Sequence, residues 1–394
     1  MSDARERSIA WWHRATLALI ARAERTGYAQ RRRRAPPKHI AAYRAFANAG
    51  GVTLSGRVLA HAPLGSPLAD DPWWTNLHGT FRRFATHELP EVELHCRFGG
   101  VMVTARTDDE GYYRARIELP DGVTGPLWQE AEVALADGSL STRQPVMVVP
   151  RDAEIGIVSD IDDTVLESSI TRWQTALKLS LVRNARTRKP LEGAAELYAA
   201  LQRGRRETAT HPIFYVSSSP WNLYDLLDEF MTLNGLPHGP IFLRDLGFDA
   251  DKFLKSRGHG HKLDAIRGLF GEFPKLSWVL IGDSGQHDPM LYASAAREFP
   301  GRVRAIYIRD VDPELASRYD TRADEHLGAV APLGVPVLRV RDSREIAAHA
   351  ASIGLLPEAA KAPVAAEVAR DALRPTLAEA GVVANRTTAE VDRA

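Results

Sequence analysis

The stretch IGIVSDIDDTVLES, residues 155–168, places several carboxylates directly after an almost wholly apolar run. Asp160, Asp162, Asp163 and Thr164 therefore follow a segment that is typical of a buried strand. Carboxylates gathered at a strand end need a cation, a proton or water near them, because an unpaired buried charge is costly. The stretch is either an acidic solvated turn or a metal site.

Other polar residues follow later apolar runs and favour the metal site. Ser217 and Ser218 follow PIFYV, and Asp283 and Asp288 follow or lie shortly after SWVLIG. Lys262, in HGHKLDAI, is 21 residues before Asp283. Ligands of an open parallel sheet bind beyond the carboxyl ends of its strands. Carboxylates from two strand ends, hydroxyls and a lysine are the groups that magnesium-dependent phosphoryl transfer requires.

The elements that must position these residues are short apolar runs separated by stretches of helical composition. Continuous hydrophobicity is typical of strands that are covered on both faces, so we expect a doubly wound, mainly parallel α/β domain over residues 151–356. Asp342 or Ser343, followed by Glu345, is expected to cap a late helix, with Gly354 near its end. The predicted strands are EIGIVS, PIFYVS, PIFLR, SWVLIG, RAIYI and VPVLRV.

Residues 46–150 alternate apolar and polar side chains, with turn residues between the runs, which predicts a small antiparallel β-sandwich. The single cysteine, Cys96, lies on the apolar side of EVELHCRF, so we interpret it as a strand core residue. One cysteine excludes an intramolecular disulfide and fits a reducing compartment.

The two ends of the chain differ in composition from its centre. Residues 1–45 hold eleven Arg or Lys and three acidic residues, and are expected to form a basic amphipathic helical region and a linker. This helix would either lie on an anionic membrane surface or pack on the protein. Residues 357–394 are rich in alanine and are expected to form a helical or disordered tail.

A second basic segment follows the acidic stretch. Residues 170–189 have six basic residues and no acidic one, with apolar residues near helical spacing. The segment is either a cap that suits an anionic substrate at an interface or an ordinary helix with a solvated basic face. His259 and His261 are interpreted as loop histidines, because no carboxylate or cysteine accompanies them at metal-ligand spacing.

The composition limits the class of protein. With 44% hydrophobic and 25% charged residues, the chain is typical of a soluble globular protein. No run reaches membrane-span length and no signal-peptide pattern is present, so we expect a cytoplasmic protein. One short run of arginines in a chain of zero net charge predicts no nucleic-acid partner.

These motifs resemble a known family. DIDDT fits the DxDxT signature of the haloacid dehalogenase superfamily, IFYVS its second motif, Lys262 its third and IGDSGQHD its fourth. More narrowly, SDIDDTV, YVSSSPWNLY, HK and IGDSGQHDP resemble the phosphatidate phosphatases of the actin-patch-protein type over about residues 150–310. The resemblance implies a Mg²⁺-dependent phosphatase that converts phosphatidate to diacylglycerol.

On this interpretation each residue has an expected role. Asp160 is the nucleophile and forms an aspartyl-phosphate, and Asp162 is the general acid and then the general base. Asp160, the backbone carbonyl of Asp162 and Asp283 hold Mg²⁺, while Asp288 either supports this shell through water or orients Lys262.

Lys262 is expected to neutralise phosphoryl charge, and Ser217 to donate a hydrogen bond to the phosphoryl group, with Ser218 as the alternative.

Two other functions stay open. The same chemistry can act on a soluble phosphomonoester or a phosphoprotein. The chain can also be a binding or scaffold protein with a vestigial phosphatase domain, although the presence of all the chemical groups counts against this alternative.

Overall fold

The chain forms two sheets and a set of helices in the regions that the structure, a computed structural model, describes. These regions are residues 39–60, 89–119, 122–161, 192–205, 211–244, 260–284, 287–310 and 324–373.

The first sheet has eight strands and is almost entirely antiparallel. Its strands pair in the order β1-β3-β2-β8-β7-β4-β5, and β6 pairs with β3. The pairing of β2 with β8 is parallel. The strands are β1 (His39–Ala42), β2 (Ala45–Asn48), β3 (Gly51–Leu59), β4 (Glu93–Phe98), β5 (Val101–Arg106), β6 (Tyr112–Glu118), β7 (Trp128–Leu135) and β8 (Ser141–Val148).

Alternation along these strands gives the sheet one buried face. Leu94, Cys96 and Phe98 of β4 point into a common core, which confirms the interpretation of Cys96. Burial raises the pKa of the Cys96 thiol to about 11, so this cysteine is not a reactive nucleophile. Seven of the strands expected to form a sandwich follow one path of pairing, β6 branches from β3, and the sheet curls around this core. The sheet begins at His39, upstream of the expected boundary at residue 46.

The second sheet has six strands, and every pairing in it is parallel. The order is β11-β10-β9-β12-β13-β14, so β9 lies between β10 and β12. The six apolar runs of the sequence are these six strands, as predicted. The strands are β9 (Ile155–Asp160), β10 (Ile213–Pro220), β11 (Ile241–Arg244), β12 (Ser277–Asp283), β13 (Val303–Arg309) and β14 (Val337–Val340).

Helices cover both faces of the parallel sheet. Ile157 lies in one core with residues of α1, α2, α5 and α6, and the next residue, Val158, lies in another core with residues of α3 and α4. The doubly wound arrangement is therefore present. The helices are α1 (Ala194–Arg203), α2 (Tyr224–Leu233), α3 (Gly260–Glu272), α4 (Asp288–Glu298), α5 (Ser343–Ser352) and α6 (Lys361–Leu373).

The helix boundaries agree with the sequence at α5 and differ at α2. Asp342 caps α5, and its side chain accepts a hydrogen bond from the Arg344 amide at 2.8 Å. The predicted strand PIFYVS is followed by α2 only at Tyr224, because β10 extends through Pro220 and a 3₁₀ turn precedes the helix. Helix α6 lies in the expected tail and packs on the domain, with Val364 buried in its core.

The strand order creates a switch point at β9. The chain passes from β9 to β10 and β11 on one side, and then returns to β12 on the other side. Connections that diverge from one strand leave a crevice at its carboxyl end, where ligands of such sheets bind. Asp160, the last residue of β9, lies at this position.

Several sequence predictions concern residues outside the described regions. They are Asp162, Asp163, Thr164, the basic segment 170–189, His259 and residues 1–38. Among the described helices, none combines the length and the apolar character that crossing a bilayer requires.

Candidate active site

An ion pair joins the end of β9 to the start of α3. Lys262 lies in the first turn of α3, and its Nζ donates to Asp160 Oδ1 at 2.8 Å. The Lys262 side chain is 1% exposed and that of Asp160 is 3% exposed. A lysine buried this deeply needs a carboxylate partner, because water no longer solvates its charge.

Asp288, the first residue of α4, is the second partner of this lysine. Lys262 Nζ donates to Asp288 Oδ1 at 3.2 Å, and the Asp283 amide donates to Asp288 Oδ2 at 3.3 Å. Asp283 is the last residue of β12. The side chain of Asp288 is fully buried, so it fixes Lys262 and the end of β12 together.

A glycine makes room for Asp288. A Cβ atom on Gly282 would lie 2.5 Å from Asp288 Oδ2 and 2.8 Å from Tyr292 Cε2. Tyr292 in turn donates from its hydroxyl to the Ile281 carbonyl at 2.9 Å. Burial first, and then the negative charge of Asp288, raise the pKa of Tyr292 well above its usual value. Sequence reasoning missed both residues, although Gly282 lies inside the motif IGDSGQHD.

The three carboxylates could bind a metal ion. Ligand oxygens of Asp160, Asp283 and Asp288 all lie within 4.8 Å of one another. With Lys262 as the counter-charge, three ionised carboxylates leave two negative charges in a buried place. Hard oxygen donors with this residual charge fit a divalent cation such as Mg²⁺. The structure thus brings together four of the seven predicted site residues.

The serines lie beside this cluster on the neighbouring strand. Val216 of β10 is in register with Asp160, so Ser217 and Ser218 come just beyond it. Ser217 Oγ accepts a hydrogen bond from the Ser219 amide at 2.9 Å, within the irregular end of β10 where the register with β11 shifts between Val216 and Pro220. Ser217 is buried and Ser218 is partly exposed.

His261 joins the serine strand to the helix that carries Lys262. Its Nε2 is 2.9 Å from the Ser217 carbonyl oxygen. The contact gives His261 a structural role, and the residue lies in α3 rather than in the loop that the sequence predicted.

A further contact behind Asp160 was not expected from the sequence. The Tyr198 hydroxyl of α1 lies 2.8 Å from Ser159 Oγ, and Ser159 Oγ donates to the Asp160 carbonyl oxygen at 3.0 Å. Burial raises the pKa of Tyr198 to about 12, so its hydroxyl stays protonated and can donate to Ser159. Tyr198 lies within an ordinary helical pattern, and nothing in that pattern indicates a contact with β9.

The fold and the site together define an α/β domain with an acidic cluster that could hold a metal ion and a buried lysine at the switch point of a parallel sheet. Residues 155–310 match the family described as "Phosphatidate phosphatase APP1, catalytic domain". The resemblance predicted from the motifs is therefore confirmed for this part of the chain.

Two relatives match part of the chain. Phosphatidate phosphatase APP1 of Saccharomyces cerevisiae is 32% identical over 155 residues, which are 39% of this chain and 26% of the yeast protein. An uncharacterised protein of Schizosaccharomyces pombe is 30% identical over 161 residues, which are 40% of this chain and 25% of that protein. The match thus spans about a quarter of the length of each relative.

A solved structure aligns more broadly but weakly. It is a carbohydrate acetylesterase from Xanthomonas citri, aligned over 74% of this chain and 72% of that chain, at 10% identity and a TM-score of 0.23. A similarity this low has no bearing on fold or function.

Proposed function

We propose that this chain is a Mg²⁺-dependent phosphatase that acts through an aspartyl-phosphate on Asp160 and hydrolyses phosphatidate to diacylglycerol and phosphate. The observation that carries the proposal is a cluster of three carboxylates at the switch point of the sheet, two of which bind a buried lysine. The proposal includes a haloacid dehalogenase-like fold for residues 151–356, since the four motifs occur in order, three at strand ends and the third, Lys262, in the first turn of α3.

The first step is a displacement at phosphorus. A carboxylate oxygen of Asp160 forms a bond to the phosphorus atom, and the bond from phosphorus to the alkoxide of the leaving group breaks. Asp162 donates a proton to this alkoxide, which leaves as the alcohol. Proton donation of this kind accelerates a reaction by roughly 10²–10⁴-fold. Lys262, already bound to Asp160 Oδ1, provides positive charge beside the nucleophile.

The second step restores the carboxylate. Asp162, now ionised, takes a proton from water, and the water oxygen forms a bond to the phosphorus atom. The bond between phosphorus and Asp160 then breaks and phosphate leaves. Dividing one difficult displacement into two easier ones is the advantage of the covalent intermediate.

The phosphoryl group is expected to be held by the chain's own donors. Lys262 neutralises its charge, and Ser217 or Ser218 donates a hydrogen bond to it. Asp160, Asp283, Asp288 and the backbone carbonyl of Asp162 would hold Mg²⁺. When bound, the ion supplies the positive charge that lets an anionic phosphate approach several carboxylates.

The substrate is inferred from the relative's printed name and from the charge pattern of the chain. The yeast relative is named a phosphatidate phosphatase. The basic N-terminal region and the basic segment 170–189 fit an anionic lipid at a membrane surface, so we propose a cytoplasmic enzyme with peripheral membrane contact. A soluble phosphomonoester stays the alternative, because the catalytic groups are the same for both.

The test is a substrate screen with purified protein. Phosphate release would be measured from phosphatidate vesicles, sugar phosphates and nucleotides, with and without Mg²⁺. Asp160→Asn is the site variant, and Asp264→Asn, which changes an exposed aspartate of α3, is the matched control. We expect Mg²⁺-dependent release from phosphatidate by the wild type and by the Asp264 variant only. No release from any substrate would favour a scaffold protein, and release from soluble substrates alone would overturn the lipid assignment.

A further inference from the structure

We propose that Tyr43 and Arg44 of the curled sheet are positioning residues for the phosphate-binding strand end at Ser217–Ser219. The inference rests on the proposed function and assigns a task to the accessory sheet, which has none in that function. Both residues lie in the connector between β1 and β2, and both contact the segment that directly follows the serines.

The first contact is an aromatic stack. The ring of Tyr43 lies on that of Trp221, with 4.8 Å between centroids and 18° between planes. The ring of Tyr224 lies 4.3 Å from that of Tyr43. Trp221 is the first residue after β10, and Tyr224 is the first residue of α2. The stack therefore holds the chain just after it leaves the serine strand.

The second contact is polar and has two parts. The Arg44 guanidinium binds Asp228 of α2 through two hydrogen bonds, of 2.7 and 3.1 Å. The Arg44 amide donates to the Tyr224 hydroxyl at 2.7 Å. A two-bond arginine–carboxylate pair fixes orientation as well as distance. The side chains of the pair are 18% and 28% exposed, so water screens them only in part.

The same segment of the first sheet also contacts the beginning of β10. Phe46 of β2 lies 5.5 Å from Phe214 and 6.1 Å from Phe242 of the neighbouring strand β11, measured between ring centroids. Three residues of the stretch 43–46, Tyr43, Arg44 and Phe46, thus contact β10 near its start and the chain just past its end. The serines lie between these two places in the sequence. The curled sheet is placed to set where this strand end lies relative to Asp160 on β9.

The pattern predicts a specific kinetic effect. The serines bind the phosphoryl group in the substrate as well as in the transition state, and the acid, base and nucleophile lie on β9 and the residues after it. Loosening the strand end should therefore weaken binding of the substrate and of the transition state by the same amount. Such a change raises KM and leaves kcat nearly unchanged. A purely structural role would lower the stability and change neither constant of the folded enzyme.

The experiment uses Arg44→Ala and the milder, isosteric Asp228→Asn in the full-length protein. The matched control is Arg143→Ala, which removes an arginine of the same sheet whose partner, Glu130, is also in that sheet. KM and kcat are measured with a soluble aryl phosphate, and the inhibition constant is measured with inorganic phosphate. Thermal unfolding shows that each variant is folded at the assay temperature.

We expect both interface variants to raise KM and the phosphate inhibition constant by about fivefold or more, with kcat within about twofold of wild type. The double variant should be no worse than Arg44→Ala, because the two residues form one contact. If the wild type is active and both interface variants have an unchanged KM, this inference is wrong and the proposed function is not affected. The same holds if Arg143→Ala raises KM as much as the interface variants do. An inactive wild type would overturn the proposed function, and this inference with it.

Discussion

Replacing Gly282 with alanine should disrupt the acidic cluster without removing any of its charged groups. The added Cβ would lie 2.5 Å from Asp288 Oδ2 and 2.8 Å from Asp288 Cβ. Ordinary contact needs about 3.5 Å, so Asp288 must move by about 1 Å. The new atom cannot shift away from Asp288 towards Tyr292, because Tyr292 Cε2 would already lie 2.8 Å from it.

The size of the effect follows from what Asp288 holds. Its hydrogen bond from Lys262 is 3.2 Å long and its bond from the Asp283 amide is 3.3 Å long, so a shift of this size breaks at least one of them. Overpacking costs about 1–3 kcal/mol of unfolding free energy. A displacement of about 1 Å near the reacting groups lowers the rate by about 10²-fold.

The assay compares Gly282→Ala with Gly268→Ala. A Cβ on Gly268, in the exposed face of α3, meets no atom within 4 Å, and alanine in a helix should stabilise the protein by up to about 1 kcal/mol. We measure unfolding free energy by urea titration and kcat/KM with a soluble aryl phosphate. Only the Gly282 variant should lose activity. If it keeps wild-type activity and stability, the close packing of Asp288 described here is wrong.

Three further predictions concern the metal, the support of Asp160 and the N-terminal region. Asp288→Asn keeps the shape of the side chain and removes one negative charge from the cluster. Mg²⁺ affinity, measured by calorimetry, should therefore fall at least tenfold, which is the loss expected when one group of a ligand set is changed. Unchanged affinity would show that Asp288 does not contribute to Mg²⁺ binding. Tyr198→Phe should lower unfolding free energy by about 1 kcal/mol and kcat a few-fold, because Ser159 loses a donor; equal stability by urea titration would contradict this. Deleting residues 1–38, which precede β1, should lower hydrolysis of phosphatidate vesicles several-fold and spare a soluble aryl phosphate; equal loss on both substrates would indicate a folding role.

The parallel sheet and the positions of its polar residues were predictable because each depends on local sequence. A strand covered on both faces must be apolar throughout, so the six runs marked β9 to β14 directly. Asp160 and Asp283 end two neighbouring strands, and parallel strands end at one edge of a sheet. Their proximity follows from the topology alone.

The contacts around these residues were not predictable, because each depends on which elements pack together. The space at Gly282 is set by Asp288 and Tyr292 on α4, and the support behind Asp160 comes from Tyr198 on α1. The extent of β10 was also missed, since pairing with β11 extends the strand as far as Pro220. Alternation predicted strands in residues 46–150 but not their order or the curl of the sheet.

The covalent intermediate on Asp160 is the central claim, and its direct detection is the decisive measurement. Wild-type protein, turning over phosphatidate with Mg²⁺, would be quenched in acid, digested and analysed by mass spectrometry. We expect a phosphoryl group on the peptide that contains Asp160, which hydroxylamine removes as it does other acyl phosphates, and no such peptide from Asp160→Asn. A phosphoryl group on a different residue, or turnover by Asp160→Asn at a tenth or more of the wild-type rate, would contradict the account.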